Sequence, residues 1–162
     1  MTDFSITEII EMAILIEQSG YAFYDKALRN KYLKPKGKEL LETLRDQERQ
    51  HEHFFDDMLN QSDLVPVDFG PDQEIVNDYL KAIINYRIFD NPDAAIKKVN
   101  EAKDELDLFK TAIDFEKDTL LFFQGIRDII KDSNAKVILE KIIKEEISHI
   151  LWLTLYRDKL TG

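Results

Sequence analysis

Apolar residues recur along the chain at helical spacing, and no stretch alternates with the period of two that a half-buried strand requires. Proline and glycine punctuate the pattern. Pro35 and Gly37 break a first long segment, Pro66, Gly70 and Pro71 open a linker, and Pro92 starts the next helical stretch. The pattern predicts long helices over about 5–31, 36–60, 106–131 and 134–160. The connection between the second and third, about 61–105, is expected to hold one or two shorter helices near 72–88 and 92–103. Ser5 to Glu8 has the form of a capping box, and Ser133-Asn134 can cap the last helix. The fold class is therefore all-α: a four-helix bundle with one long crossover, covering 1–162 as one domain.

Counting in alternating steps of three and four gives the stripe each long helix turns towards the bundle axis. The first reads Ile10, Ala13, Glu17, Gly20, Tyr24, Ala27, and the second Leu41, Leu44, Glu48, His51, Phe55, Met58. The third reads Phe109, Ala112, Glu116, Thr119, Phe123, Ile126, and the fourth Leu139, Ile142, Glu146, His149, Leu153, Tyr156. Each seam is interrupted by a mid-helix Glu, and two carry a His one turn later. The halves repeat: Glu48 follows Glu17 by 31 residues, Glu146 follows Glu116 by 30, and both second members are followed at three by a histidine.

Composition narrows the chemistry. With 44% hydrophobic residues the chain can build a core, and with no cysteine it has no disulfide, thiolate zinc site, iron–sulfur cluster or cysteine nucleophile. Any metal must be held by oxygen and imidazole. A net charge of −10 repels phosphate backbones, which argues against nucleic-acid binding. No apolar run approaches membrane-spanning length and the first residues carry acid, so no membrane association is expected and a cytoplasmic location is.

Burying four unpaired carboxylates costs several kcal/mol each, and no Lys or Arg occupies the seams to pair with them. They must protonate into a polar network or bind cations. Two divalent ions balance four carboxylates, and residues three apart on a helix can grip one ion together. One Glu from each of two helices plus Glu-x-x-His from each of the other two is the ligand set of di-iron carboxylate bundles. Oxygen-rich ligation with one imidazole per ion suits iron or manganese better than structural zinc.

Glu-x-x-x-x-x-Phe-Tyr from Glu17, Gln-Glu-Arg-Gln-His ending at His51, Glu-Lys-Asp-Thr from Glu116 and Glu-Glu-Ile-Ser-His ending at His149 resemble the di-iron domain of rubrerythrins, in the ferritin-like superfamily. The resemblance implies Glu17, Glu48, His51, Glu116, Glu146 and His149 as ligands of two iron ions, with Glu48 and Glu146 bridging and manganese or zinc as substitutes. It implies an oxidoreductase that reduces peroxide or dioxygen. Full-length rubrerythrins carry a rubredoxin domain whose iron is held by four cysteines, and this chain has no cysteine. Its electrons would come from a separate donor protein such as a rubredoxin. Many rubrerythrins have a further Glu on the third helix, whereas Ile113 and Thr119 stand one turn either side of Glu116. Ferroxidase or iron-handling activity uses the same ligands, and the rival from another class is a non-catalytic metal-binding bundle.

Around the ligands, Gly20 and Thr119 either leave room for the oxidant or let helices pack closely. Tyr24, two turns from Glu17, is a candidate to hydrogen-bond a ligand or donate an electron; its alternative is plain core. Tyr21 and Trp152 are assigned to packing, and His53 and Glu52 to the surface. Glu145 is an alternative to Glu146 as ligand, although its counterpart in the repeat is Gln47. Long exposed helices favour a homodimer.

Overall fold

The computed structural model describes residues 5–60, 71, 73–86, 91–128, 130 and 133–162. Among these residues there are six helices and no strand: α1 Ile6–Ala27, α2 Pro35–Asn60, α3 Gln73–Tyr86, α4 Pro92–Glu101, α5 Glu105–Arg127 and α6 Ser133–Thr161. Each of the six overlaps a segment that the periodicity predicts, with different ends: α5, for one, stops at Arg127 with Asp128 as its cap, where the pattern runs on to 131. Residues 61–70 of the expected connection, 72 and 87–88 of its first short helix, and 129 and 131 of the third long helix lie outside the described residues.

Local chemistry sets the helix ends. The Ser5–Glu8 capping box is present: Ser5 N donates to Glu8 Oε2 at 2.8 Å, and Glu8 N donates to Ser5 Oγ at 3.1 Å. Helix α1 stops at Ala27 rather than 31. Arg29 N and Asn30 N donate three residues back, to Lys26 O and Ala27 O, which tightens the chain into a turn. That turn frees Tyr32, whose hydroxyl donates to Ala102 O at 3.0 Å and ties the connection to the end of α4. Asn91 caps α4 by accepting from Ala94 N, with Pro92 as the first helical residue, and Asp104 caps α5 by accepting from Asp107 N. Helix α4 ends at Glu101 because Ala102 is extended and Lys103 N donates to Asp107 Oδ2. Ser133 is itself the first residue of α6, so the position that would cap this helix lies outside the described residues.

Helix α1 packs along α2, and α5 along α6, as their short connections require. The crossover helices then brace the two pairs: α4 lies on α1 and α3 lies on α5. Every seam residue predicted above is buried except Tyr156, which is half-buried. Phe23, Phe55, Phe109, Phe122 and Phe123 are fully inaccessible and give the core its bulk. Two glycines mark close approaches. At Gly125 a Cβ would lie 2.5 Å from the Tyr79 ring, whose hydroxyl donates to Leu121 O at 2.9 Å and holds α3 against α5. At Gly37 it would lie 2.5 Å from Glu105 Oε1. That buried carboxylate accepts from Lys34 N and the Tyr156 hydroxyl, placing negative charge at the N-terminus of α2. Among the described residues, no helix is long and apolar enough to cross a membrane.

Candidate metal centre

Midway along the bundle the four seams converge. Glu17, Glu48, Glu116, Glu146 and His149 have no accessible surface, and His51 has 2%. Their ligand atoms fall into two groups, each with atoms within 4.8 Å of one another: Glu17, Glu48, His51 and Glu146, then Glu48, Glu116, Glu146 and His149. Glu48 and Glu146 belong to both. The six residues singled out from the sequence are thus brought together, two from each Glu-x-x-His helix and one from each of α1 and α5.

Glu146 stands between the two imidazoles, which are nearly parallel with ring centres 6.0 Å apart. Its Oε1 lies 2.9 Å from His51 Nδ1 and its Oε2 3.1 Å from His149 Nδ1. Glu17 Oε2 is 3.5 Å from His51 Nδ1, while Glu48 Oε1 and Glu116 Oε1 are 3.5 and 3.4 Å from His149 Nδ1. None of these contacts has hydrogen-bond alignment. Both oxygens of Glu17, Glu48 and Glu146, Oε2 of Glu116 and Nδ1 of both histidines have no hydrogen-bond partner. Polar atoms this deeply buried are normally satisfied. Such a set of inward-facing oxygen and imidazole donors fits a pair of divalent cations.

The outward faces of the imidazoles are satisfied across the bundle. His51 Nε2 donates to Glu145 Oε2 at 2.7 Å, and His149 Nε2 donates to Gln47 Oε1. In the neutral imidazole each bond fixes the tautomer that leaves Nδ1 without a hydrogen towards the centre. Glu145 lies 31% exposed and belongs to neither ligand group, so its place is behind His51, and Glu146 faces the centre. Sequence reasoning gave Glu145 and Gln47 no such role. Their signal was available, since each immediately precedes its helix's inward-facing seam Glu.

Burial sets the electrostatics. It pushes the carboxyls of Glu17 and Glu48 well above their ordinary range, reinforced by the neighbouring carboxylates, and it moves Glu116 up to about 8. Burial opposes ionisation of Glu146 as well, but the pull of His149 outweighs it and holds that carboxyl well below the ordinary range. Burial likewise disfavours the charged imidazoles, yet Glu146 dominates, raising His51 to about 9 and His149 well above its usual value.

Several neighbours depart from expectation. Gly20 does not leave a channel for an oxidant: a Cβ there would lie 2.3 Å from Glu48 Oε2 and 2.8 Å from the Phe115 ring, so the space holds the Glu48 carboxylate itself. Thr119 is buried with its hydroxyl donating to Phe115 O at 3.0 Å. Tyr24 is fully buried and donates to Glu116 Oε1 at 2.5 Å. Glu52 is buried rather than solvated, because Gln18 Nε2 and Arg49 both donate to it at 3.0 Å. Arg49 also stacks over Tyr21, 3.8 Å from the ring centre. His53 is exposed, as expected. Trp152 is 39% exposed and lies beside His149 with ring centres 6.1 Å apart.

The crowding at Gly20 gives a test that separates site from scaffold. Gly20→Ala should keep the helical content, since alanine favours a helix by about 1 kcal/mol over glycine. It should also displace Glu48 and weaken metal uptake by at least about tenfold, the scale seen when a ligand's support is disturbed. Unchanged uptake in a calorimetric titration would show that Glu48 does not need that space.

The profile of the ferritin-like domain matches residues 5–157. The chain belongs to the ferritin-like family. Among solved structures, this ferritin-like chain is similar to a Thermotoga maritima protein provisionally described as a ferritin-like diiron-carboxylate protein. The two are 20% identical with a TM-score of 0.71, over 98% of this chain and 97% of that one. At that identity the likeness establishes the shared fold. No curated protein matches the chain.

Proposed function

We propose that this ferritin-like chain holds two iron ions among Glu17, Glu48, His51, Glu116, Glu146 and His149, and reduces peroxide or dioxygen with electrons from a separate donor protein. The observation that carries the reading is the pair of overlapping donor groups sharing Glu48 and Glu146, with their inward atoms left without hydrogen bonds. The Thermotoga maritima protein's description as a diiron-carboxylate protein agrees with it. When bound, two ferrous ions supply two electrons to an oxidant, and manganese or zinc can fill the same donors without the same redox chemistry.

The chain's own residues provide the setting. Glu48 and Glu146, which belong to both donor groups, would serve both positions, and Glu17 and Glu116 one each. Glu145 and Gln47 hold the imidazoles in the tautomer that offers Nδ1. Tyr24 holds Glu116 through its hydroxyl, which makes it a positioning residue and places a phenol beside the ligands. Phe55 and Phe123, each seven residues after a seam Glu on its helix, are fully buried with ring centres 5.2 Å apart. The same reading includes a rubredoxin-type electron donor and a homodimer. The exposed apolar residues Ile147, Leu151 and Leu155, one turn apart on α6, support such self-association.

Stopped-flow oxidation of the anaerobically iron-loaded, reduced protein tests the activity. Peroxide reduction predicts that hydrogen peroxide oxidises it at least about tenfold faster than air-saturated buffer. Faster reaction with air that leaves ferric iron in the protein would indicate a ferroxidase. Slow and equal responses would leave a metal carrier.

A further inference from the structure

The centre is built from two repeated halves, so residues at matching positions of the repeat ought to treat the two metal positions alike. Two of them do not. Gln47 on α2 and Glu145 on α6 are counterparts, each one residue before its helix's ligand Glu, and each reaches across to the other helix's histidine. His149 therefore donates to a neutral amide oxygen, whereas His51 donates to a carboxylate. Tyr24 on α1 and Phe123 on α5 are also counterparts, seven residues after Glu17 and Glu116. The Tyr24 hydroxyl donates to Glu116, while Phe123 has no hydroxyl to offer, and neither oxygen of Glu17 has a hydrogen-bond partner.

Both departures act in one direction. A carboxylate behind an imidazole makes its other nitrogen a stronger donor and adds a negative charge close to the cation. A hydroxyl donating to a ligand carboxylate draws electron density away from the atoms that would bind metal. The Glu17–His51 side gains the first effect, and the Glu116–His149 side suffers the second. Lys141 lies 3.9 Å from Glu145 Oε1, but it is 77% exposed, and a solvated ion pair of that kind cancels little of the carboxylate's charge. Glu52, also near Glu17, pairs with Arg49, which is 45% exposed, so whatever charge stays uncancelled favours the same side.

Resting on the two-metal reading above, we propose that the two positions are unequal: the one formed by Glu17 and His51 takes the first divalent cation, and Glu145 is the positioning residue that sets this order. The half-repeat supplies two similar cradles, and the Gln47/Glu145 and Tyr24/Phe123 differences rank them. Such a ranking lets the protein stand with one ion held firmly and a second exchanging.

Anaerobic calorimetric titration of the metal-stripped full chain with ferrous ion tests the order. The wild type should bind in two phases separated by roughly ten- to a hundredfold in Kd, the range outer hydrogen-bond partners control. Glu17→Gln should remove the tight phase and leave the weak one, and Glu116→Gln the reverse. Glu145→Gln, nearly isosteric and partly exposed, should keep the fold by circular dichroism and draw the two phases together. Gln47→Glu should tighten the weak phase, a gain that a purely structural role would not produce. Loss of the tight phase in Glu116→Gln instead of Glu17→Gln would overturn the order. Two ions taken up with one affinity, unmoved by Glu145→Gln, would overturn it too while leaving the two-metal reading intact. No uptake by the wild type would overturn both.

Discussion

Glu146→Ala is expected to abolish uptake of both ions, while Glu17→Ala and Glu116→Ala each leave one. The reason lies in where the two Glu146 oxygens point. Oε1 faces His51 and Oε2 faces His149, so one side chain completes both donor groups. Its removal takes an anionic ligand from each position at once and leaves two buried imidazoles without the carboxylate between them. Glu17 and Glu116 each belong to a single group, so losing either leaves the other group complete. Iron per chain, measured after anaerobic loading and desalting, should fall from about two to background in Glu146→Ala and to about one in the other variants. Circular dichroism should show all three still helical, because the bundle rests on its apolar seams. Two ions retained by Glu146→Ala would remove it from the centre.

The second large effect concerns stability and its dependence on pH. In the metal-stripped protein Glu17, Glu48 and Glu116 hold protons that the unfolded chain releases near pH 4.5, with Glu116 holding its proton up to about pH 8. His51 and His149 keep protons that the unfolded chain loses near pH 6.5, His51 up to about pH 9. The folded state binds more protons across this window, so stability falls as pH rises from about 5 to about 9. Glu146 acts in the opposite sense, contributing above pH 4.5 and losing its contribution as pH falls below that value. At about 1.4 kcal/mol per unit, Glu116 alone accounts for several kcal/mol. Cations bound there would replace those protons, so uptake should release protons and strengthen with pH. Loading at a thousandfold excess over Kd adds about 4 kcal/mol, a rise in Tm on the order of 10 °C for a chain of this size. Thermal scans should show the stripped protein losing Tm from pH 6 to 9 and the loaded protein holding it. A stripped protein that becomes more stable with rising pH would mean that the carboxylates are not buried together.

Much of this centre is legible in one dimension, for a physical reason. A carboxylate in an otherwise apolar seam is costly, so Glu17, Glu48, Glu116 and Glu146 stand out against neighbours such as Ala13, Leu44, Ala112 and Ile142. The three-residue step to His51 and His149 then follows from helix geometry. What the seams cannot supply is contact between different helices. Glu145 reads as an alternative ligand because intrahelical spacing places it near His149, whereas across the bundle it meets His51. Glu52 reads as solvated because nothing in its own helix shows that Gln18 comes down on it from α1. Gly20 reads as open space, since a missing side chain does not say which neighbour fills the gap; Glu48 fills it. The end of α1 is missed for the same kind of reason, because Tyr32 bonds to Ala102, seventy residues away in sequence.

The central proposal is that Glu17, Glu48, His51, Glu116, Glu146 and His149 would hold two metal ions, with Glu48 and Glu146 belonging to both donor groups. A crystal structure of the iron-loaded protein, with anomalous differences recorded above and below the iron edge, tests it most directly. The account predicts two iron peaks, one among Glu17, Glu48, His51 and Glu146 and one among Glu48, Glu116, Glu146 and His149. Crystals soaked to saturation that show no iron among these six residues, with their carboxyls hydrogen-bonded to one another instead, would contradict it.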